Sequence, residues 1–100
     1  MTRPIRTARP ASEELTAAVR WYEEQRSGLG AEFFDAVLET LARIAEHPEA
    51  GAVAFGAIET RRMLVAGFPY HVVYRRGLED IRVLAFAHLK RRPGFWMHRR

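Results

Sequence analysis

Two apolar runs near the C-terminus, Tyr70 to Arg76 and Ile81 to His88, are separated only by Gly77-Leu78-Glu79-Asp80. A short connection containing glycine between two such runs predicts a β-hairpin with antiparallel pairing. The second run is almost continuous in apolar residues, the pattern of a central strand covered on both faces. Strict alternation along it places Ile81, Val83, Ala85 and Ala87 on one face. Arg82, Leu84, Phe86 and His88 then fall on the other.

The residues upstream supply the layer that such a strand needs. Leu15, Ala18, Val19 and Tyr22 recur at helical spacing, with Trp21 bordering the face they form. Pro10 suits a helix start, Ser12 is the expected N-cap, and Glu13 and Glu14 suit the positive end of the helix dipole. Gly28-Leu29-Gly30 breaks this helix. A second helix is expected from Ala31 to His47, with Phe34, Val37, Leu38, Leu41, Ile44 and Ala45 as its apolar stripe, and Pro48 ends it. Ile5 to Arg9 reads as a short strand, residues 49–57 as a loop and Ile58 to Val65 as a strand. Gly67-Phe68-Pro69 forms the turn into Tyr70. The predicted fold class is α+β: an N-terminal helical hairpin packed on a small antiparallel β-sheet, one domain spanning residues 1–100. Residues 89–100 form a basic, aromatic C-terminal tail. The hairpin should cover one sheet face and leave the other, partly apolar and partly basic, open to a partner.

Composition narrows the chemistry. The chain has no cysteine, which fits a reducing compartment and removes thiolate metal sites. No apolar run follows Met1-Thr2-Arg3-Pro4-Ile5-Arg6 and none could span a bilayer, so a cytoplasmic protein without a membrane partner is expected. Residues 1–50 hold six arginines and nine carboxylates, a net charge of −3; residues 51–100 are net +7. Such asymmetry points to a polyanion or an acidic protein as partner for the second half. There is no Gly-rich phosphate loop and no dinucleotide fingerprint. His47, His71, His88 and His98 are scattered, so neither a metal nor another cofactor is expected. Ser12 and Ser27 sit at cap or turn positions, while Glu13-Glu14 and Glu23-Glu24 read as solvated helix positions.

What remains is a basic set, Arg61, Arg62, Arg82, His88, Lys90, Arg91 and Arg92, with Phe95 and Trp96 beside it. Arginine pairs bidentately with phosphate or carboxylate, and His88 exchanges protons near neutral pH. Aromatic rings among arginines stack on bases or fill a protein pocket. Phe95 and Trp96 have an alternative role, packing back on the sheet as core.

The order of these pieces resembles the RelE/ParE family of bacterial toxins. The resemblance rests on Ala18-Val19-Arg20-Trp21-Tyr22-Glu23, Gly28-Leu29-Gly30 with Phe33-Phe34, and Leu41-Ala42-Arg43-Ile44 up to Pro48. It continues through Arg61-Arg62-Met63-Leu64, Phe68-Pro69-Tyr70-His71-Val72-Val73-Tyr74, Ala87-His88 and Arg92-Pro93-Gly94-Phe95-Trp96. It implies a growth-inhibiting toxin of a type II toxin–antitoxin pair, associated with plasmid stabilisation and neutralised by a cognate antitoxin whose C-terminal segment wraps across it. RelE-like members cut messenger RNA on the ribosome, whereas ParE-like members poison DNA gyrase by binding.

Residue by residue, the nuclease pattern is incomplete here. Arg62 matches one basic position, but Leu64 stands at a second. Tyr70 is followed by His71 rather than arginine. Leu89 falls where the nucleases have arginine, with Lys90 or Arg91 as alternatives for that role, and Phe95 falls at their tyrosine without its hydroxyl. The ParE-like reading is therefore preferred, with Arg61, Arg91, Arg92, Phe95 and Trp96 as target contacts. A RelE-like nuclease would use Arg62, His71, Arg82, His88 and Arg91. A non-toxic module that only binds the antitoxin is the third reading. If the tail contacts the target, truncation after Pro93 should leave a folded protein; if Phe95 and Trp96 are core, it should not.

Overall fold

The computed structural model describes residues 3–54 and 59–99. The expected strand start at Ile58, the loop residues 55–57, the N-terminal Met1-Thr2 and Arg100 of the tail lie outside the described residues. The chain runs β1 (Ile5–Thr7), α1 (Arg9–Gln25), α2 (Leu29–Glu46), a 3₁₀ turn (Pro48–Ala50), β2 (Ala52–Val53), β3 (Thr60–Leu64), β4 (Tyr70–Arg76) and β5 (Ile81–His88). The strands form one sheet in the order β1-β5-β4-β3-β2.

The two helices pack on this sheet, and β3, β4 and β5 form the expected antiparallel meander. The sheet is mixed, however, because β1 lies parallel to β5, with Ile5 opposite Ile81 and Thr7 opposite Val83. An apolar strand such as β5 needs a neighbour on each edge, and the N-terminal strand fills the edge that β4 leaves. The two-residue β2, antiparallel to β3, was not foreseen in the Ala- and Gly-rich stretch.

Strand pairing also sets the start of α1. The Ala8 N–H is committed to the Val83 carbonyl at 2.9 Å, and the helix begins at Arg9. Ser12 is thus not the N-cap; it lies inside the first turn and donates its N–H to the Ala8 carbonyl at 3.0 Å. Pro10 occupies the first turn, where its missing N–H costs nothing. The start of α2 is held by α1. The Glu23 carboxylate accepts the N–H groups of Gly28 and Gly30 at 3.0–3.1 Å, satisfying donors that a helix start leaves free. Gly28 makes the turn at φ 91°.

The buried face of α2 differs from the expected stripe. Phe33, Val37, Thr40 and Ile44 are buried, whereas Phe34 and Leu38 are 40% and 47% exposed. Thr40 can be interior because its hydroxyl donates to the Ala36 carbonyl at 2.8 Å. Phe33 joins Tyr22, Phe68 and Tyr70 in an aromatic cluster with ring centroids about 5–6 Å apart, clamped between the hairpin and the sheet.

A β-bulge corrects the face assignment in β5. Val73 is opposite Ala85 and Tyr74 is opposite Val83, so Leu84 is the extra residue. Ile81, Val83 and Phe86 therefore face the helices, while Leu84, Ala85 and Ala87 face away with Val73. The far face is not fully open. Trp96 folds back onto it, 5% exposed, with Phe95 alongside and Ala54 beneath.

Candidate functional site

Three surfaces carry chemistry that the interior does not consume. The first is the half-buried strip of Arg62 on β3 and His71 on β4. Arg62 pairs across with Val73, and Leu64 with His71, so all four share the face away from the helices. Burial, and then the neighbouring Arg62, hold the His71 imidazole below its ordinary pKa of 6.5. The unfolded chain therefore binds more protons here than the native one. This contribution to stability is complete above 6.5 and falls as the pH drops through 6.5 toward the lower folded value. His71→Gln should flatten the fall in unfolding free energy between about pH 7 and pH 5. Denaturant titrations across that range measure it, and identical slopes in the two proteins would exclude it.

The other residues of the nuclease set are dispersed. Arg82 lies between Ile81 and Val83, both on the helix side, and so projects to the far face with Arg62 and His71. His88 lies on the helix side of the sheet, its ring 5.2 Å from that of Tyr70, with Nδ1 accepting the Lys90 N–H at 3.1 Å. The sheet thus separates His88 from His71. Arg91 is held by Glu14 at 2.9 Å and stacks 3.5 Å above the Phe95 ring.

The second surface is the tail, and its expected target contacts divide into two groups. Lys90, Arg91 and Arg92 are exposed, Phe95 is half-buried, and Trp96 is buried. Arg61 is committed to the sheet margin, donating to the Gly51 carbonyl at 2.7 Å. Beside it the Tyr74 hydroxyl donates to the Pro48 carbonyl at 2.7 Å and accepts the Gly51 N–H at 3.1 Å. Burial raises the pKa of this phenol, which stays protonated.

Glu14 ties the tail to the fold. Strand β1 covers β5 only as far as Val83. Further along the same edge, the Phe86 N–H donates to Glu14 at 3.2 Å and Arg99 donates to the Leu84 carbonyl at 3.0 Å. Arg99 also donates to Glu14 at 2.8 Å, so one carboxylate joins α1, β5 and two tail arginines. Reading Glu14 as a solvated position missed this, because the tail arginines that meet it lie more than 70 residues away in sequence.

The third surface lies on the outside of the hairpin. Leu15, Val19 and Phe34 line an open apolar groove of about 430 Å³ between α1 and α2, rimmed by Arg20 and Glu23. The exposed Leu38 lies one turn beyond Phe34. Among the described residues, no three His, Cys, Asp or Glu side chains gather in a way that could hold a metal ion. None of the described helices is long and apolar enough to cross a membrane.

Comparison with known proteins gives this arrangement a relation. Among solved structures, a chain of the chromosomal ParDE toxin–antitoxin system from P. aeruginosa superposes with a TM-score of 0.76 at 14% identity, covering 89% of this chain and 98% of that one. That likeness is one of fold. No curated protein sequence matches the chain. The model of the family described as ParE toxin of the type II toxin–antitoxin system, parDE, matches residues 5–93, from the first strand to the start of the tail. The chain belongs to the ParE toxin family of type II toxin–antitoxin systems.

Proposed function

We propose that this protein inhibits growth by binding DNA gyrase and is silenced by a cognate antitoxin, both in the cytoplasm. The observation that carries the binding mode is the dispersal of the nuclease set. His71 and His88 lie on opposite faces of the sheet, and Arg91 is engaged by Glu14. A cleavage site needs its acid, base and phosphate-stabilising cations around one reacting group. Exposed Arg91 and Arg92, with the edge of Phe95, form the target-facing surface with Trp96 beneath it, while Arg61 stands apart at the sheet margin. The hairpin groove suits an antitoxin segment, since an amphipathic helix can lay its apolar side over Leu15, Val19 and Phe34. The same partner would help a plasmid carrying the pair to persist.

One observation favours a nuclease instead: Arg62 and a readily neutral His71 adjoin on an accessible strip. The test is pulse-labelling of new DNA and new protein soon after the chain is induced alone, together with supercoiling by purified gyrase. An early fall in DNA synthesis and inhibited supercoiling is the expected result. An early fall in protein synthesis would favour the nuclease, and no fall in either would leave a non-toxic antitoxin-binding module. Induced alongside the antitoxin, Phe34→Asp should remain toxic where the wild type is neutralised; full neutralisation of the variant would remove the groove as the docking site.

A further inference from the structure

One row of residues crosses four strands on the far face: Arg6 on β1, Arg82 on β5, Arg75 on β4 and Thr60 on β3, each opposite the next. Arg6 is neutralised by Asp80 at 3.2 Å. Among the described residues Arg75 and Arg82 have no ion-pair partner, although they stand directly opposite one another. Like charges in that relation destabilise a sheet. Glu14 is already shared by Arg91 and Arg99, the latter lining a cavity at this row.

At this row Thr60, Arg75, Leu84, Trp96, Met97 and Arg99 enclose a cavity of about 80 Å³. Two buried donors on the same face have no hydrogen-bond partner, the Nε of Arg82 and the Nε1 of Trp96. Leaving a buried donor unpaired costs roughly 1–3 kcal/mol, and more for a charged group. Guanidinium and indole groups have no acceptor to offer, so donors predominate among the polar side chains of a lining that Leu84 and Met97 complete. Such a site calls for a ligand made only of acceptors, and the opposed arginines call for negative charge. Water satisfies the first demand only in part and the second not at all. By volume the cavity takes about two to three waters, or one small oxyanion.

We propose that this cavity binds a tetrahedral oxyanion of the phosphate type, held by Arg75, the Trp96 indole N–H and the Thr60 hydroxyl, with Arg82 adding positive charge from the next strand. The ligand clamps the tail onto the sheet, since Trp96 is part of the tail. The site is distinct from the Arg62–His71 strip and does not depend on the toxin's target.

Calorimetric titration of the full-length chain with inorganic phosphate, at constant ionic strength against chloride, tests this. Saturable one-to-one binding is expected. Arg75→Gln should weaken it by about 10- to 100-fold, as loss of a hydrogen bond to a charged group implies, and Arg82→Gln, which removes only a neighbouring charge, should weaken it less. A parallel titration with methyl phosphate distinguishes sources. Tighter binding of inorganic phosphate assigns the free ion; tighter binding of the ester assigns a phosphate carried by a larger molecule. Thermal unfolding covers variants whose folding changes. Phosphate should raise the wild-type midpoint logarithmically once its concentration exceeds Kd, and raise the variants' midpoints less at each concentration. Without phosphate the variants should unfold no earlier than wild type, because each relieves the arginine repulsion. No saturable heat, or a rise of equal size in wild type and variants, would overturn the site, because general exclusion of phosphate from protein surfaces gives that second pattern.

Discussion

Removing the residues after Pro93 should unfold this protein rather than merely blunt its activity. Trp96 is 5% exposed and fills the second apolar cluster with Val73, Leu84, Ala85 and Ala87, and Phe95 flanks it. Truncating a buried tryptophan to alanine typically costs roughly 3–5 kcal/mol. A domain of this size has about 5–15 kcal/mol in total. Trp96→Ala should therefore lower the thermal midpoint by roughly 12–40 °C, taking about 4–8 °C per kcal/mol for a small domain. Deleting 94–100 removes Arg99 as well and should leave no cooperative transition at 37 °C. Met97→Ala, at a neighbouring site 53% exposed, is the control and should be nearly neutral. A Trp96→Ala midpoint within a few degrees of wild type would show that the ring contributes little to the fold. Lost toxicity on tail truncation, taken alone, then says nothing about target contact; Arg92→Ala, at an exposed position with no ion pair among the described residues, is the informative substitution, since Arg91 also holds Glu14.

The second large effect is expected at Glu14. Its side chain is 16% exposed and accepts from the Phe86 N–H, Arg91 and Arg99, the last itself only 17% exposed. Removing one member of a fully buried ion pair costs roughly 3–5 kcal/mol, chiefly because the other charge is left without a partner. With some solvent reaching both groups, Glu14→Ala should cost roughly 2–3 kcal/mol. Denaturant unfolding of Glu14→Ala, Arg99→Gln and the double variant measures it. The double variant should be less destabilised than the sum of the single ones by roughly 1 kcal/mol or more. Simple additivity, or a loss below about 0.5 kcal/mol, would show that the carboxylate does not fasten the tail. Glu13→Ala, on an exposed neighbour whose partner Arg9 is also exposed, is expected to stay within about 0.5 kcal/mol.

Local signals carried much of the fold. The bounds of β4 and β5 were readable because glycine-containing turns flank two unequivocal apolar runs. The hairpin was readable because Ala18 and Tyr22 recur at helical spacing and Gly28 interrupts them. Failures occurred where two local choices were nearly equal. Phe33 and Phe34 are adjacent, and periodicity alone could not say which faces inward; a hydroxyl satisfied within its own helix hid Thr40 from the apolar pattern. The bulge at Val73 and Tyr74 inverted the second half of β5, because an extra residue in one strand leaves no mark in composition.

The candidate site was legible as an inventory and not as an arrangement. Arg62 and His71 meet as neighbouring strands allow, but the bulge carried Phe86, and His88 beyond it, to the helix side. The tail's basic and aromatic character was plain in the sequence. Its division into exposed Arg91 and Arg92, half-buried Phe95 and buried Trp96 was not. By itself the sequence determined the fold class, the order of the elements other than β2 and the charge asymmetry, since these rest on periodicity and residue type within short windows; the family was legible as a resemblance spread over nearly the whole chain. Only the tertiary structure decided that β1 pairs with β5, that Glu14 fastens a tail more than 70 residues away, and that Arg75 stands opposite Arg82 at the edge of a cavity. The physical reason is that each depends on which distant groups the closed sheet brings within hydrogen-bonding reach.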